Sequence, residues 1–263
     1  MVLFGRRVPL AAALLPWCLV WELAGRLDLS PILPPLSRIL LAGATLVGSE
    51  QFRAAAGLSL RSFASGMGLA VLVGLPLGLG MARAATLRRL LGPPVQVFVS
   101  APISALVPLL MGVVGIGERT VAVTVFLFAV FVIILDTEVG VRTADRSLVE
   151  MARAFGARPL QLYTRVLLWS ALPEILSGLR LAAIRGVKGV VIGQLLVAIL
   201  GVGALFELYS KHFLMEEFWA LVLLVFLFAF LVSEAIAFFA DQKAVLAALA
   251  PLADVGQGRQ RSE

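Results

Sequence analysis

Six apolar runs of about twenty residues, separated by short arginine-bearing stretches, set the pattern of this chain. They fall roughly at 8–24, 62–82, 94–116, 120–139, 187–208 and 218–240. Runs of that length reach across the hydrocarbon layer of a bilayer as helices. In lipid a helix satisfies its own backbone, so the pattern predicts an all-α membrane protein with about six spans. The third run is interrupted by Pro94, Pro102 and Pro108. Proline inside a membrane helix frees a carbonyl that neighbouring groups must satisfy.

Between the fourth and fifth runs the period changes. Ser147-Leu-Val-Glu150 has the form of a capping box, in which serine accepts from the third amide and glutamate reaches back. A helix begun there puts Leu148, Met151, Ala152 and Phe155 on one face. Ala152 and Ala154 keep it slim. Gly156 suits its end, because glycine accepts the left-handed conformation found there. Pro159 suits the first turn of a second short helix. Two short helices with a bend are therefore expected, carrying Arg153, Arg158 and Arg165. Periodicity alone leaves two roles open: an amphipathic hairpin lying on the bilayer, or a docking element.

Composition agrees with a lipid environment. Hydrophobic residues make up 60% of the chain and charged ones 14%. The mean hydropathy is +1.01. The arginines and lysines add an orientation. With the N-terminus inside, sixteen of the 22 fall on the cytoplasmic side, eight of them between Arg142 and Lys188. Both termini are then cytoplasmic. The same bias accounts for the basic character of the chain through membrane topology and headgroups, without nucleic acid. Arg6 and Arg7 ahead of an apolar run also fit a signal peptide. The length of that run, Pro16, Glu22 and the lack of a small-x-small end favour a retained helix. One transmembrane domain over 1–263 is expected, with a core at about 60–240 and the loop at about 145–170.

Single copies of cysteine and histidine, Cys18 and His212, exclude an internal disulfide and Cys/His metal clusters. No G-x-x-x-x-G-K-[ST] occurs, so the chain has no phosphate-cradling loop of that kind for ATP. No cofactor is expected. Polar residues inside the spans are candidates for a translocation path: Gln194, Ser100 and Ser104 first, then Gln96 and Thr124. For each, a helix–helix hydrogen bond is the competing role. Gly74-x-x-x-Gly78 and Gly189-x-x-x-Gly193 are spaced for close helix approach. Asp136 and Glu138 mark the cytoplasmic end of the fourth run.

Glu150-Met-Ala, Gly156-Ala157, and then Val166 through Leu172-Pro173 to Gly178-Leu-Arg180 resemble the "EAA" loop of type I ABC importer permeases. The nitrate/sulfonate/taurine group is the most similar. Its features recur from about residue 10 to 240: Trp21-Glu22, Leu33-Pro34 to Ser37, Gly74-Leu-Pro76-Leu-Gly78, Leu87-Arg88-Arg89 to Pro93 and Gln96, Pro102, Pro108-Leu109, Gly115-Ile-Gly117-Glu118 and Gly201-Val-Gly203. The resemblance implies a bacterial inner-membrane subunit that docks on an ATPase through Glu150, Met151, Ala152, Phe155, Gly156 and Ala157. It further implies a second permease copy, two ATPase subunits and an external solute-binding protein. Departures are Trp169 for a proline, Val99-Ser100 for Arg-Pro, Ile103 for a proline, Gly193-Gln194-Leu195 for A-E-M, and a tail after Ala240 without a basic run. The lost arginine and glutamate put anionic substrates in question. Nitrate, a sulfonate or taurine, a pyrimidine or a flavin precursor would each suit relatives. A stand-alone channel or secondary transporter, or a membrane-embedded enzyme, is the alternative class.

Overall fold

The computed structural model describes residues 2–3, 6–7, 10–143, 146–158, 161–197 and 201–259, and it is helical apart from a two-residue pairing of Val2–Leu3 with Arg6–Arg7. In chain order the helices are α1 (Leu10–Arg26), α2 (Leu36–Gly48), α3 (Glu50–Arg83), α4 (Ala85–Ser100), α5 (Val107–Val114) and α6 (Glu118–Arg142). They continue as α7 (Arg146–Ala154), α8 (Leu172–Val197), α9 (Gly201–Lys211) and α10 (Met215–Arg259). A 3-10 turn, Ile103–Leu106, precedes α5, and a π-helical stretch, Leu162–Leu167, precedes α8.

The centre is α6, packed along both α3 and α8. Its Val121, Val125 and Ala129 have no exposed surface. Small residues on the flanking helices make that approach possible. A methyl group at Gly78 would sit 2.7 Å from the Ile134 carbonyl oxygen, and one at Gly74 would sit 2.9 Å from Ile133 Cγ2. On α8, a methyl at Gly189 would come within 3.2 Å of Val125 Cα. Both spaced glycine pairs therefore serve α6. Phe63 of α3 joins the same cluster and meets Phe228 of α10 edge-on at 5.7 Å.

Three helices are long and apolar enough to cross a membrane alone: Glu50–Arg83, Glu118–Arg142 and the Met215–Phe238 part of α10. Two of the six expected spans are instead bent pairs. The expected run at 94–116 breaks by 93° between Ala85–Ser100 and Ile103–Val114. Pro102 causes this: it donates no amide and pushes the residue before it out of the helical region. Ala101 is indeed extended, at φ −70° and ψ 146°. The expected run at 187–208 begins much earlier, at Leu172, and α8 and α9 meet at 58°. Arg180 and Arg185, expected in a loop, therefore lie on a helix, and Lys188 lies deep within it instead of at its start. The second run also starts earlier, at Glu50, where the Ser49 hydroxyl accepts from the Phe52 amide and caps α3.

At the end of the bundle that holds the α8–α9 bend, the motif residues of α1 find partners. Trp21 Nε1 donates to the Pro34 carbonyl at 3.2 Å. Glu22 accepts from the Ser37 amide at 2.9 Å and the Ser37 hydroxyl at 2.8 Å, supplying an anionic cap to the first turn of α2. Trp219 Nε1 donates to the Ile32 carbonyl at 2.8 Å, and its ring meets Trp21 edge-on at 5.1 Å. Amphipathic rings of this kind suit a membrane interface.

Candidate functional site

The loop between α6 and α8 carries the first group of candidate residues. Helix α7 begins at Arg146, so Ser147 lies in its first turn and not ahead of it as the capping-box reading expected. Its end is as the glycine implied. Gly156 adopts φ +76°. Its amide donates to the Arg153 carbonyl at 2.9 Å, and the Ala157 amide donates to the Ala152 carbonyl at 3.0 Å. These two bonds are a Schellman closure, which turns the chain sharply while satisfying the last carbonyls. Arg158 then donates its amide to Gln161 Oε1 at 2.9 Å. Pro159 lies outside the described residues.

The predicted face of α7 is present and uncovered. Leu148, Met151 and Phe155 are exposed, Phe155 to 86%. Ala152 and Ala157 are half-buried, while Glu150 and Gly156 are exposed. On its inner side α7 packs on the π-helical stretch Leu162–Leu167. A row of large apolar side chains held on a capped helix and left bare is the property of a surface that another molecule or the bilayer covers.

The second group separates. Gln194 has no exposed surface. Its Oε1 accepts from the Ser59 hydroxyl of α3 at 2.9 Å and from the Gly203 amide of α9 at 3.2 Å. Ser59 Oγ in turn accepts from the Val202 amide at 3.1 Å. Two of the free amides at the start of α9 are thus capped by side chains of α8 and α3. Gly201 and Gly203 allow this: a methyl at Gly203 would lie 2.5 Å from Gln194 Cβ. Gln194 Nε2 has no hydrogen-bond partner. This side chain offers no surface to a path through the protomer in this conformation; it ties the α8–α9 bend to α3. Ser59 is not among the sequence candidates: it precedes the apolar run at 62–82, and Arg53 and Arg61 interrupt hydropathy along the start of α3. Thr124 is likewise fully buried and donates to the Thr120 carbonyl at 2.8 Å.

Ser100 ends α4 and is exposed, and Ser104 lies half-buried in the 3-10 turn beyond the break. Gln96 is exposed on α4. None of these meets Gln194.

Charged side chains organise the opposite end of the bundle. Glu138 is nearly buried and pairs with Arg142 Nη1 at 3.0 Å and Arg88 Nε at 3.9 Å, joining the end of α6 to the start of α4. Arg180, the arginine of Gly178-Leu-Arg180, donates to Ser233 Oγ at 2.7 Å and Glu234 Oε1 at 2.8 Å on α10.

The family of binding-protein-dependent transport system inner membrane components matches residues 70–244. The chain belongs to this family. It is similar to the taurine transport system permease protein of Escherichia coli, 28% identical over 228 residues that cover 84% of this chain and 82% of that one. It is also similar to a transport permease protein of Escherichia coli named for aliphatic sulfonates, 34% identical over 143 residues covering 54% and 53%. Its fold is that of a chain of the MetNI methionine ABC transporter in an inward-facing form, with a TM-score of 0.64 at 22% identity, covering 74% of this chain and 99% of that one. The protein is thus a membrane permease component of a binding-protein-dependent ABC importer.

Proposed function

We propose that the chain forms the translocation path of an ATP-driven importer and receives the energy of transport through α7 from a separate ATPase. The bare apolar face of α7 carries this reading. Leu148, Met151, Ala152 and Phe155 form a narrow ridge, Glu150 flanks it, and the closure at Gly156–Ala157 fixes its exit angle. A slim ridge of this kind enters a cleft, and burying it removes apolar surface from water. Movement of the ATPase would then bias one of two arrangements of the helices through residues 147–168.

The assembly we infer holds two copies of this chain, two ATPase subunits on the α7 side and a solute-binding protein on the other. The α7 side is cytoplasmic and the membrane is the bacterial inner membrane. With Arg180 and Arg185 moved from loop to helix and Lys188 deep in α8, Arg142, Arg146, Arg153, Arg158 and Arg165 still mark that side. The substrate is a small polar solute, and the taurine- and sulfonate-named relatives favour a sulfonate. The proline break beside Ser100 and Ser104 suits the wall of a path, since broken helices are tolerated in membranes where they line a cavity.

The test is recovery of the ATPase by the tagged permease. Glu150→Lys should insert normally and lose the ATPase, because it reverses the charge beside the ridge. Unchanged recovery with unchanged transport would remove α7 from the coupling role. Orientation is checked in a Cys18→Ser chain: Arg153→Cys should label from the cytoplasm and Lys211→Cys from outside, and the reverse result would overturn the topology.

A further inference from the structure

Lys188 stands where a membrane protein seldom keeps a charge. It lies nine residues before the end of α8 at Val197, about 13 Å along the axis, and about 24 Å from the start at Leu172. Its depth is fixed by α6, which runs antiparallel beside it. A methyl at Gly189, the next residue, would touch Val125 Cα at 3.2 Å and Phe128 Cβ at 3.3 Å. Both belong to the stretch 120–135, which contains no charged residue. Lys188 is therefore level with uncharged, membrane-depth parts of its neighbour.

It is also on the open face. The inner sides of α8 are taken up by α6 through Gly178, Ala182, Gly189 and Gly193, and by the cluster around Phe63 through Ala183, Val187 and Val190. Seven-residue steps drift only about 20° around a helix, so Leu181, Lys188 and Leu195 form one row. Leu181 is 43% exposed, Leu195 is 42%, and Lys188 is exposed between them. Arg185 is half-buried one turn toward the start of α8 and interacts electrostatically with Asp136 of α6. Among the described residues, Lys188 makes no ion pair. The broken segment also reaches α8: α5 and the 3-10 turn touch it, and Met111 of α5 packs against the cluster that holds Val187 and Val190. An unpaired ammonium at this depth is tolerated facing water, not acyl chains.

We propose that Lys188, with Arg185 beside it, is an anion-selecting station on the wall of the translocation path. The inference rests on the importer reading above and names its ligand class: a small solute bearing a sulfonate, carboxylate or comparable oxyanion. A primary ammonium is a compact point charge with three donors and takes such groups without demanding a fixed orientation. A fixed positive potential here would serve where Val99 and Gln194 stand in place of the arginine and glutamate of similar permeases. In a two-copy assembly the station would be doubled across the path.

The test needs no knowledge of the substrate. In a Cys18→Ser chain assembled with its ATPase in proteoliposomes, Leu181→Cys and Leu195→Cys flank Lys188 along the row. Each is reacted with the sulfonate-bearing and the trimethylammonium-bearing ethyl methanethiosulfonates, with and without ATP. At one or both positions the sulfonate reagent should react at least five-fold faster than the cationic one. Lys188→Gln should bring that ratio toward one, and Lys188→Arg should keep it. No reaction at either position places the row against lipid or in a closed contact and overturns the proposal. Equal rates with Lys188 in place also overturn it. Recovery of the ATPase is scored on the same samples. Its loss from the chain carrying only Cys18→Ser counts against the importer reading, whereas retained recovery without anionic preference counts against Lys188 alone.

Discussion

Val125 on α6 and Phe155 just past the end of α7 are both large apolar residues, and they meet opposite fates. Val125 has no exposed surface, while Phe155 is 86% exposed. Around Val125, glycines on α3 and α8 bring backbones so close that a methyl group at Gly66 would lie 2.6 Å from its Cβ. Around Phe155 the chain offers a nine-residue helix and a glycine stop. The core is complete within one chain. The loop has a defined backbone and an unfinished surface, which is what a docking element requires. Apolar character alone does not distinguish the two; neighbouring residue size does.

Breaking the core should have the largest effect. Gly78→Val places branched bulk where a single methyl is already 2.7 Å from the Ile134 carbonyl oxygen and 2.7 Å from Thr137 Cβ. Overpacking costs about 1–3 kcal/mol, and more where a backbone must move. Thermal unfolding in detergent should drop sharply, and recovery of folded protein with it. A wild-type melting curve would show that α3 and α6 are not clamped at this point.

The loop should respond in the opposite way. Phe155→Asp removes the most exposed apolar side chain of the ridge and should leave thermal stability within about 0.5 kcal/mol, as for an ordinary surface position. ATPase recovery should fall ten-fold or more. A stability loss comparable to that of the core variant would erase the distinction between the two regions.

Gln194→Leu sharpens the boundary between structural and transport roles. It removes the acceptor for the Ser59 hydroxyl and the Gly203 amide, a loss of about 1–3 kcal/mol, offset in part by deletion of the unpartnered Nε2. The complex should melt earlier, while transport per assembled complex holds. Reduced turnover with unchanged melting would return Gln194 to the path. The smallest change should come from Gly156→Ala, where a side chain at φ +76° costs about 1–2 kcal/mol locally. Because α7 has little packing to lose, the global melt should stay put and ATPase recovery should weaken only a few-fold; an unaltered recovery would show that the exit angle is not fixed by this turn.

Much of the fold was legible because lipid imposes simple rules. Long apolar runs, spaced glycines and a glycine stop after α7 each state their role in residue type, and the α7 face follows from a 3.6-residue period. Trp21-Glu22 and Leu33-Pro34 to Ser37 were visible as separate motifs, but nothing in either announced that one caps the other. Pro102 was visible too, but not the 93° turn. For Gln194 both a path and a helix–helix hydrogen bond were open, and its partners Ser59 and Gly203 lie on two other helices, which no single segment reveals.

The sequence by itself determined the environment, the helical class, the family-like loop and the residues that make close helix packing possible, because these depend on local composition and period. Tertiary structure alone decided depth and facing. In sequence Arg185 looks like a loop charge and Lys188 like the first charge of the fifth run; only with α8 laid against α6 does Lys188 come level with its uncharged stretch. Gln194 reads in sequence as a polar residue in a span with two open roles; the bend at Gly201 brings the Gly203 amide of α9 onto its side chain. Depth and facing are relations between helices, fixed by which surfaces approach closely enough to exclude one another, and no single segment contains that information.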